Sequence, residues 1–173
     1  MALREVLQFP DPRLKRVSEP IDEITDAIRD LARDMCDVMY DEPGIGLAAP
    51  QVGEALRLFV IDTEWSEDGG ERNPKVLINP EFTRREGSIT WEEGCLSVPD
   101  YTADVERAAS VTIRALDLEG QEVIEDAEGL RAVCMQHEMD HLDGILFIDR
   151  ISRLKRGLYV KKRKKQLAAE AKE

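Results

Sequence analysis

The sequence lacks the features that mark secreted, membrane-spanning and disulfide-stabilised proteins. Its three cysteines are odd in number and scattered along the chain, which argues against a disulfide framework and suits a reducing cytoplasm. No stretch approaches the roughly 18 apolar residues of a membrane span, and Met1–Leu14 contains no apolar run of signal-peptide length. Aromatic residues make up only 5% of the chain, so its core must consist mainly of aliphatic side chains. We therefore expect a cytoplasmic protein without a membrane partner.

Positive charge is scarce over most of the chain and concentrated near its end. Residues 1–148 carry 14 Lys and Arg against 33 Asp and Glu, a net charge of −19. Residues 149–165 carry 9 Lys and Arg against one acid, a net charge of +8, and residues 166–173 contribute −1, which gives −12 for the whole chain. An acidic body repels nucleic acid, so we predict no DNA partner. Only the basic segment is suited to binding a polyanion.

Apolar spacing predicts three helices in a chain of 173 residues, the size of one domain. Pro43-Gly44 would end the first helix, and we predict Asp126 as the N-cap and Gly144 as the terminating glycine of the second. The three helices are predicted at Ile24–Met39, Gly129–Leu142 and Arg153–Ala169.

Short runs of branched apolar residues between the first two helices predict strands. The polar, Gly-rich stretch Glu64–Pro74 predicts a mobile surface loop. We expect an α+β fold with mostly antiparallel sheets packed around the second helix as a central helix, and with a C-terminal helix. The strands are predicted at 57–62, 75–79, 82–91 with a turn at Gly87, 110–116 and 122–124.

The clearest chemical signal is His137-Glu138-Met139-Asp140-His141, an H-E-x-x-H match within the predicted second helix. A helix advances about 100° per residue, so the two histidines point within about 40° of each other and can bind one ion. Glu138 lies on the flank of that face, where it can reach a water molecule without binding the ion itself. Since the chain has only two histidines, this arrangement would rarely arise by chance.

A catalytic metal site of this kind needs a third protein ligand, and no third histidine exists. Phe147 stands where the metzincin pattern has its last histidine, and the only glutamates after the motif, Glu170 and Glu173, lie in the tail. The alternative function, a zinc-dependent peptidase of the HExxH type, therefore lacks its downstream ligand.

Two cysteines before the motif are candidates for the third ligand. Cys134 lies three residues before His137 on the same helix, too far back for an ion held by both histidines, and is better interpreted as pocket lining. Cys95 lies in the tight segment Glu93–Pro99, which can present a thiolate inward beside a free backbone N–H. Spacing alone leaves open whether Cys95 is a ligand or a buried free thiol.

The segment Gly44–Gln51 reads GIGLAAPQ. Its glycines allow a close backbone approach, and Gln51 supplies one side-chain amide at the end of an otherwise apolar run. A structural turn is the simpler interpretation of this segment taken alone.

Together, these three segments resemble the peptide deformylase family. Its members carry G-φ-G-φ-A-A-x-Q, E-G-C-φ-S and H-E-φ-D-H in this order, and the chain has GIGLAAPQ, EGCLS and HEMDH. The resemblance implies hydrolytic removal of the N-formyl group from the N-terminal formyl-methionine of newly synthesised polypeptides by a metal-activated water.

The resemblance also assigns roles to individual residues. Cys95, His137 and His141 are implied to bind the ion, and Glu138 to act as general base and then as general acid. Gln51 and the backbone N–H of Leu96 are implied as donors to the formyl oxygen. An apolar slot would take the methionine side chain, and nearby backbone would pair with the extended peptide. The residues implied in these two contacts are Ile45, Gly46, Gly94, Leu96, Val133, Cys134 and His137.

The resemblance further implies a cofactor and partners. Family members hold one divalent ion, Fe²⁺ in the cell and often Zn²⁺ or Ni²⁺ in purified protein, and a thiolate ligand suits the softer metals. The substrates would be N-formyl-methionyl nascent peptides. The basic tail resembles the C-terminal helix with which family members contact the ribosome, and a solvated helix face is the alternative. We predict one domain, with a catalytic part at 1–152 and a basic tail at 153–173.

Overall fold

Residues 4–172, which the computed structural model describes, form three α-helices and seven strands. Met1–Leu3 and Glu173 lie outside the described residues. They are the first residues of the predicted catalytic part, 1–152, and the last residue of the predicted basic tail, 153–173. The elements in chain order are α1 (Asp26–Asp41), β1 (Gly46–Ala48), β2 (Leu58–Ile61), β3 (Lys75–Glu86), β4 (Ile89–Cys95), β5 (Val98–Arg107), β6 (Ser110–Leu116), β7 (Glu122–Glu128), α2 (Gly129–Leu142) and α3 (Arg153–Glu170).

The named strands pair antiparallel in two sheets. Five form one sheet in the order β1-β2-β3-β6-β7, and β4 pairs with β5 in a separate two-stranded sheet. Helix α2 packs against β1, β2, β6 and β7, so it is covered by the larger sheet. The prediction of an α+β fold with antiparallel sheets around a central helix is therefore confirmed.

All three helices lie where the apolar spacing predicted them. Helix α1 begins after Thr25, whose hydroxyl accepts a hydrogen bond from the Ile28 N–H, and it buries a face of aliphatic and Met side chains. Helix α2 ends before Gly144, whose φ of +75° suits a glycine after a helix. The predicted Asp126 cap is wrong, because Asp126 lies in β7 and accepts a hydrogen bond from Thr112 instead.

The strands differ more from their predicted positions than the helices do. The predicted strand 75–79 and the part of the predicted strand 82–91 before its turn at Gly87 form one strand, β3, whose pairing with β6 shifts register between Ile78 and Glu81. The register shift is consistent with two separate apolar patterns within one strand. Strand β5 was not predicted, because Pro99 and alternating charged residues conceal its buried positions.

The predicted surface loop Glu64–Pro74 is exposed except at Trp65. Glu64 and residues 66–74 are exposed, whereas Trp65 is only 8% exposed, and Asp62, two residues before the loop, is 2% exposed. The start of this segment is therefore packed against the body of the protein.

Helix α3 packs back onto the rest of the chain. Tyr159 is buried in a core cluster with Phe9, Val98 and Phe147, and Arg163 donates a hydrogen bond to the Phe9 carbonyl at 2.8 Å. None of the helices among residues 4–172 has the length and apolar character needed to span a membrane.

Candidate active site

The three predicted metal ligands lie together where the β4–β5 hairpin meets helix α2. His137 and His141 project from adjacent turns of α2, with ring centroids 5.0 Å apart. Cys95 ends β4, and its Sγ lies 3.3 Å from His141 Nε2. One potential ligand atom from each residue lies within 4.8 Å of the others. The structure therefore brings together a thiol and two imidazoles that are far apart in sequence.

This donor set fits a divalent transition metal. Sulfur and imidazole nitrogen are ligands that Zn²⁺ and Fe²⁺ both accept. The Nδ1 of His137 lies 2.9 Å from Glu93 Oε1, which fixes the ring and leaves Nε2 for an ion. Among the described residues the group of ligand atoms within 4.8 Å of one another contains Cys95, His137 and His141 and not Cys134. The buried Sγ of Cys134 instead lies 3.7 Å from the Ile45 carbonyl oxygen.

The pKa values of the two imidazoles shift in opposite directions because their neighbours differ. Burial lowers the pKa of His141 well below its usual value, which keeps this ring neutral. Burial also opposes a charge on His137, but the Cys95 sulfur and the Glu93 carboxylate together raise its pKa. A metal ion binding at this site would therefore displace a proton from the Cys–His group.

Glu138 lies beside the group with one oxygen unpaired. The residue is 4% exposed, and its Oε1 has no hydrogen-bond partner among residues 4–172. Burial raises the pKa of Glu138 to about 7, a value suited to a group that both takes up and gives back a proton. Gly46 lies against this carboxylate, and a Cβ there would lie 2.6 Å from Glu138 Oε2.

Gln51 lies in the turn after β1 with its amide fixed in orientation. Its Oε1 accepts a hydrogen bond from the Ala48 N–H at 2.9 Å. Its Nε2 donates to Ser97 Oγ at 3.0 Å and lies 3.6 Å from Cys95 Sγ. The amide nitrogen therefore faces the Cys–His group, as a donor to a reacting oxygen would have to do.

A cavity of about 620 Å³ opens beside these groups. Ten of the eleven predicted site residues line it, and His141 alone of them does not. The ten are Ile45, Gly46, Gln51, Gly94, Cys95, Leu96, Val133, Cys134, His137 and Glu138.

Comparison with known proteins agrees with this geometry. Residues 3–157 match the family model described as polypeptide deformylase. A peptide deformylase from Afipia carboxidovorans is 55% identical over 163 residues, which cover 94% of each chain. The chain belongs to the peptide deformylase family.

Solved deformylase structures share the whole fold. One from Legionella pneumophila has a TM-score of 0.90 at 42% identity and covers 99% of both chains. One from Ehrlichia chaffeensis in complex with actinonin has a TM-score of 0.87 at 36% identity, covering 96% of this chain and 98% of that one. Like its relatives, this deformylase is a hydrolase that acts on formylated peptides, and its family implies a divalent metal. The alternative of an HExxH peptidase is not favoured.

Sequence reasoning missed a buried ionic network behind the Cys–His group of this deformylase. Glu93 binds His137 and also accepts two hydrogen bonds, both 2.8 Å, from Arg107. Arg107 reaches Asp140 at 2.6 Å, and Asp140 is bound from the other side by Arg150. Burial alone would raise the pKa of Glu93, but Arg107 and His137 hold it below its usual value. Glu93 is therefore an anion that orients a proposed ligand.

Further residues of the cavity wall were also missed, among them Trp91, Leu130 and Tyr101. The sequence could have predicted Trp91 and Glu93. Alternate residues of a strand share a face, and these two lie four and two residues before Cys95. Leu130 lies on the helix face that carries Val133 and His137. Tyr101 had no comparable signal, since β5 itself was not predicted.

Proposed function

We propose that this deformylase removes the formyl group from N-terminal formyl-methionine of newly made polypeptides, with Cys95, His137 and His141 holding one divalent ion. The main support is the convergence of one sulfur and two ring nitrogens within 4.8 Å, beside an unpaired, buried Glu138. The bound ion would supply Lewis acidity and a lowered pKa for water.

The protein side of the reaction is a proton transfer and the binding of a developing charge. Glu138 takes the proton from the attacking water and passes it to the departing amine, for which a pKa of about 7 is well suited. The Gln51 amide and the Leu96 backbone N–H donate to the formyl oxygen as it becomes negative. Loss of one such donor typically raises the barrier by about 3–4 kcal/mol.

The methionine side chain fits the apolar end of the cavity. Val133 and Cys134 present a buried wall from α2, and Ile45 and Leu96 face them from the two loops. The backbone of Ile45, Gly46 and Gly94 lies along the same cavity, where an extended peptide can pair with it. Cys134 is uncharged in this role, because burial raises its pKa well above the usual value.

Glu138→Ala tests the assignment. The variant should keep its metal, because Glu138 is not a proposed ligand, and lose turnover of a formyl-Met peptide by about 10²–10⁴-fold. The same peptide without the formyl group controls for peptide-bond cleavage and should remain intact with both proteins. A metal-free Glu138→Ala protein would contradict the role given to this residue.

We further propose Fe²⁺ as the ion in the cell, with Zn²⁺ or Ni²⁺ replacing it in purified protein. The thiolate of Cys95 supports a softer metal over Mg²⁺ or Ca²⁺. Metal analysis of protein prepared without oxygen, paired with the formyl-Met peptide assay, tests this. Equal metal content and activity in Cys95→Ala would contradict the assignment of Cys95 as a ligand.

We also propose that the chain is one cytoplasmic domain with a catalytic part at 1–152 and a basic tail at 153–173. Helix α3, which forms most of this tail, is proposed to contact ribosomal RNA. Five lysines of α3 are exposed, whereas Tyr159 and Arg163 are buried. Truncation at Arg153 would remove the buried residues as well, so substitution of the exposed lysines by Gln is the sharper experiment. Unchanged co-sedimentation with ribosomes, at a salt concentration where the parent binds, would contradict the contact. The lysines are Lys155, Lys161, Lys162, Lys164 and Lys165.

A further inference from the structure

The segment that joins β2 to β3 is fastened by one buried carboxylate. Asp62 accepts hydrogen bonds from the Tyr40 hydroxyl at 2.5 Å and from the Asn73 N–H at 2.8 Å. It also accepts one from the Glu64 N–H at 3.3 Å. Because these donors come from both ends of the segment and from α1, Asp62 closes the 62–73 segment and holds it against the helix.

Trp65 extends from this closed segment to the wall of the cavity. Its ring packs edge-on against Tyr40 with centroids 4.9 Å apart, and the Arg72 guanidinium lies over both rings. Its Nε1 donates a hydrogen bond to the Gly44 carbonyl oxygen at 3.1 Å. Trp65 itself does not line the cavity, but Gly44, Ile45 and Gly46 do.

The backbone that Trp65 fixes leads into the open edge of the five-stranded sheet. Among the described residues, strand β1 is the first strand of that sheet and its named partner is β2. In the register of this pair Leu47 directs its backbone groups toward β2, and the Ile45 carbonyl accepts a hydrogen bond from the Asp62 N–H. By the alternation of an antiparallel strand, Gly46 and Ala48 direct their backbone groups toward the open edge. Gly44 precedes β1, and its N–H bonds the Met39 carbonyl at the end of α1.

Two side chains bind the backbone on either side of Gly46. Trp65 binds the carbonyl of Gly44, just before β1, and Gln51 binds the N–H of Ala48, at the end of β1. Gly46 lies between these two positions and against Glu138. A peptide that pairs with the open edge is therefore directed to Gly46, next to the Cys–His group, on a backbone that Trp65 holds from the preceding residues.

We propose that Trp65 is a positioning residue for substrate binding, which holds the Gly44–Gly46 backbone in register with the first residues of a formylated peptide. This inference rests on the proposed placement of the peptide along β1. Trp65 does not line the cavity, and among residues 4–172 its side chain forms a hydrogen bond with Gly44 and none with Glu138 or the Cys–His group. It should therefore act on peptide binding and leave the chemical step to the residues that touch the substrate.

Trp65→Phe removes the indole donor and keeps an aromatic ring against Tyr40. We expect KM for formyl-Met-Ala-Ser to rise about fivefold, the effect of one lost hydrogen bond. We expect kcat to change by less than about twofold and metal content to stay the same. Amide hydrogen exchange should become faster at 44–46 but not in α2, which a general loss of stability would not produce.

Two further variants make the outcome decisive. Glu67→Ala alters an exposed residue of the same segment and should leave KM unchanged. Tyr40→Phe removes the hydroxyl that binds Asp62 and should raise KM in the same direction, which tests the proposal even if Trp65→Phe folds poorly. Unchanged KM in every folded variant of the pair, or a fall in kcat together with metal content, would overturn the proposal. Failure of the unaltered protein to deformylate the peptide would instead contradict the proposed function.

Discussion

Glu93 illustrates how much of the proposed chemistry depends on residues that do not touch the substrate. It lies one position before Gly94 in the EGCLS motif and holds His137 through Nδ1 at 2.9 Å. Arg107 keeps it ionised inside the protein, since an unpaired carboxylate at 5% exposure would be costly. The imidazole is therefore oriented before any ion arrives.

Glu93→Gln should weaken metal binding without removing a ligand. The amide is uncharged, so it orients His137 less strongly and leaves Arg107 without its bidentate partner. We expect metal affinity to fall about 10–100-fold, the usual result of losing such an outer partner. Competition with a chelator measures this directly. Glu92→Gln, at the exposed neighbouring position of β4, is the matched control, and equal affinities in both variants would contradict the orienting role.

At the scale of elements, the position of α2 against β1 determines how close Glu138 comes to the peptide edge. Gly46 allows this approach, because a Cβ there would lie 2.6 Å from Glu138 Oε2 and 2.9 Å from Cys134 Sγ. Neither neighbour can move freely, since both are buried between the sheet and the helix. A side chain at this position must therefore separate the two elements or displace Glu138.

Gly46→Ala should lower turnover by at least about tenfold while the protein still folds. The expected cause is displacement of the Glu138 carboxylate, so metal content should be nearly unchanged. Gly157→Ala is the control, because no atom lies within 4 Å of a Cβ at that position of α3. The control should gain about 0.5–1 kcal/mol of stability as a helix glycine is replaced. Normal turnover in Gly46→Ala would show that the close approach is not needed.

The sequence predicted the helices and the chemical groups that they carry. It did not predict how the strands pair. The 3.6-residue period placed α2 and put His137 and His141 on one face without any tertiary information. Spacing argued against Cys134 but could not show that Cys95 is a ligand, because that depends on the hairpin that returns Cys95 to α2. The same holds for Trp65, whose partner Gly44 is brought near only by pairing of β1 with β2.

At the scale of the whole molecule, the chain closes on itself through residues 146–163. Arg163 binds the Phe9 carbonyl, and Tyr159 donates a hydrogen bond to the Pro99 carbonyl at 3.2 Å. Asp149 joins three parts of the chain, because its carboxylate accepts from Lys15 at 2.5 Å, Arg156 at 3.0 Å and the Leu146 N–H at 2.9 Å. The basic tail is therefore held by an acid of the body as well as by its apolar face.

Asp149 should make the stability of the whole molecule depend on pH. Burial alone would raise its pKa, but Lys15, the Leu146 N–H and Arg156 lower it below 3.8. The stabilisation is therefore fully present above pH 3.8 and is lost as the pH falls through the lower, folded-state pKa. Asp149→Asn should cost about 1–2 kcal/mol near neutral pH, since its partners are partly exposed.

The difference between the parent protein and Asp149→Asn should shrink in acid, because the variant has no charge to lose. Urea unfolding at about pH 6 and about pH 3 measures this difference well above pH 3.8 and below it, where the stabilisation is being lost. Asp68→Asn, in the exposed part of the 62–74 segment, removes an acid without these three partners and should show little difference at either pH. If the difference in the free energy of unfolding between the parent protein and Asp149→Asn is the same at both pH values, then Asp149 stabilises the protein through its shape and not through its charge.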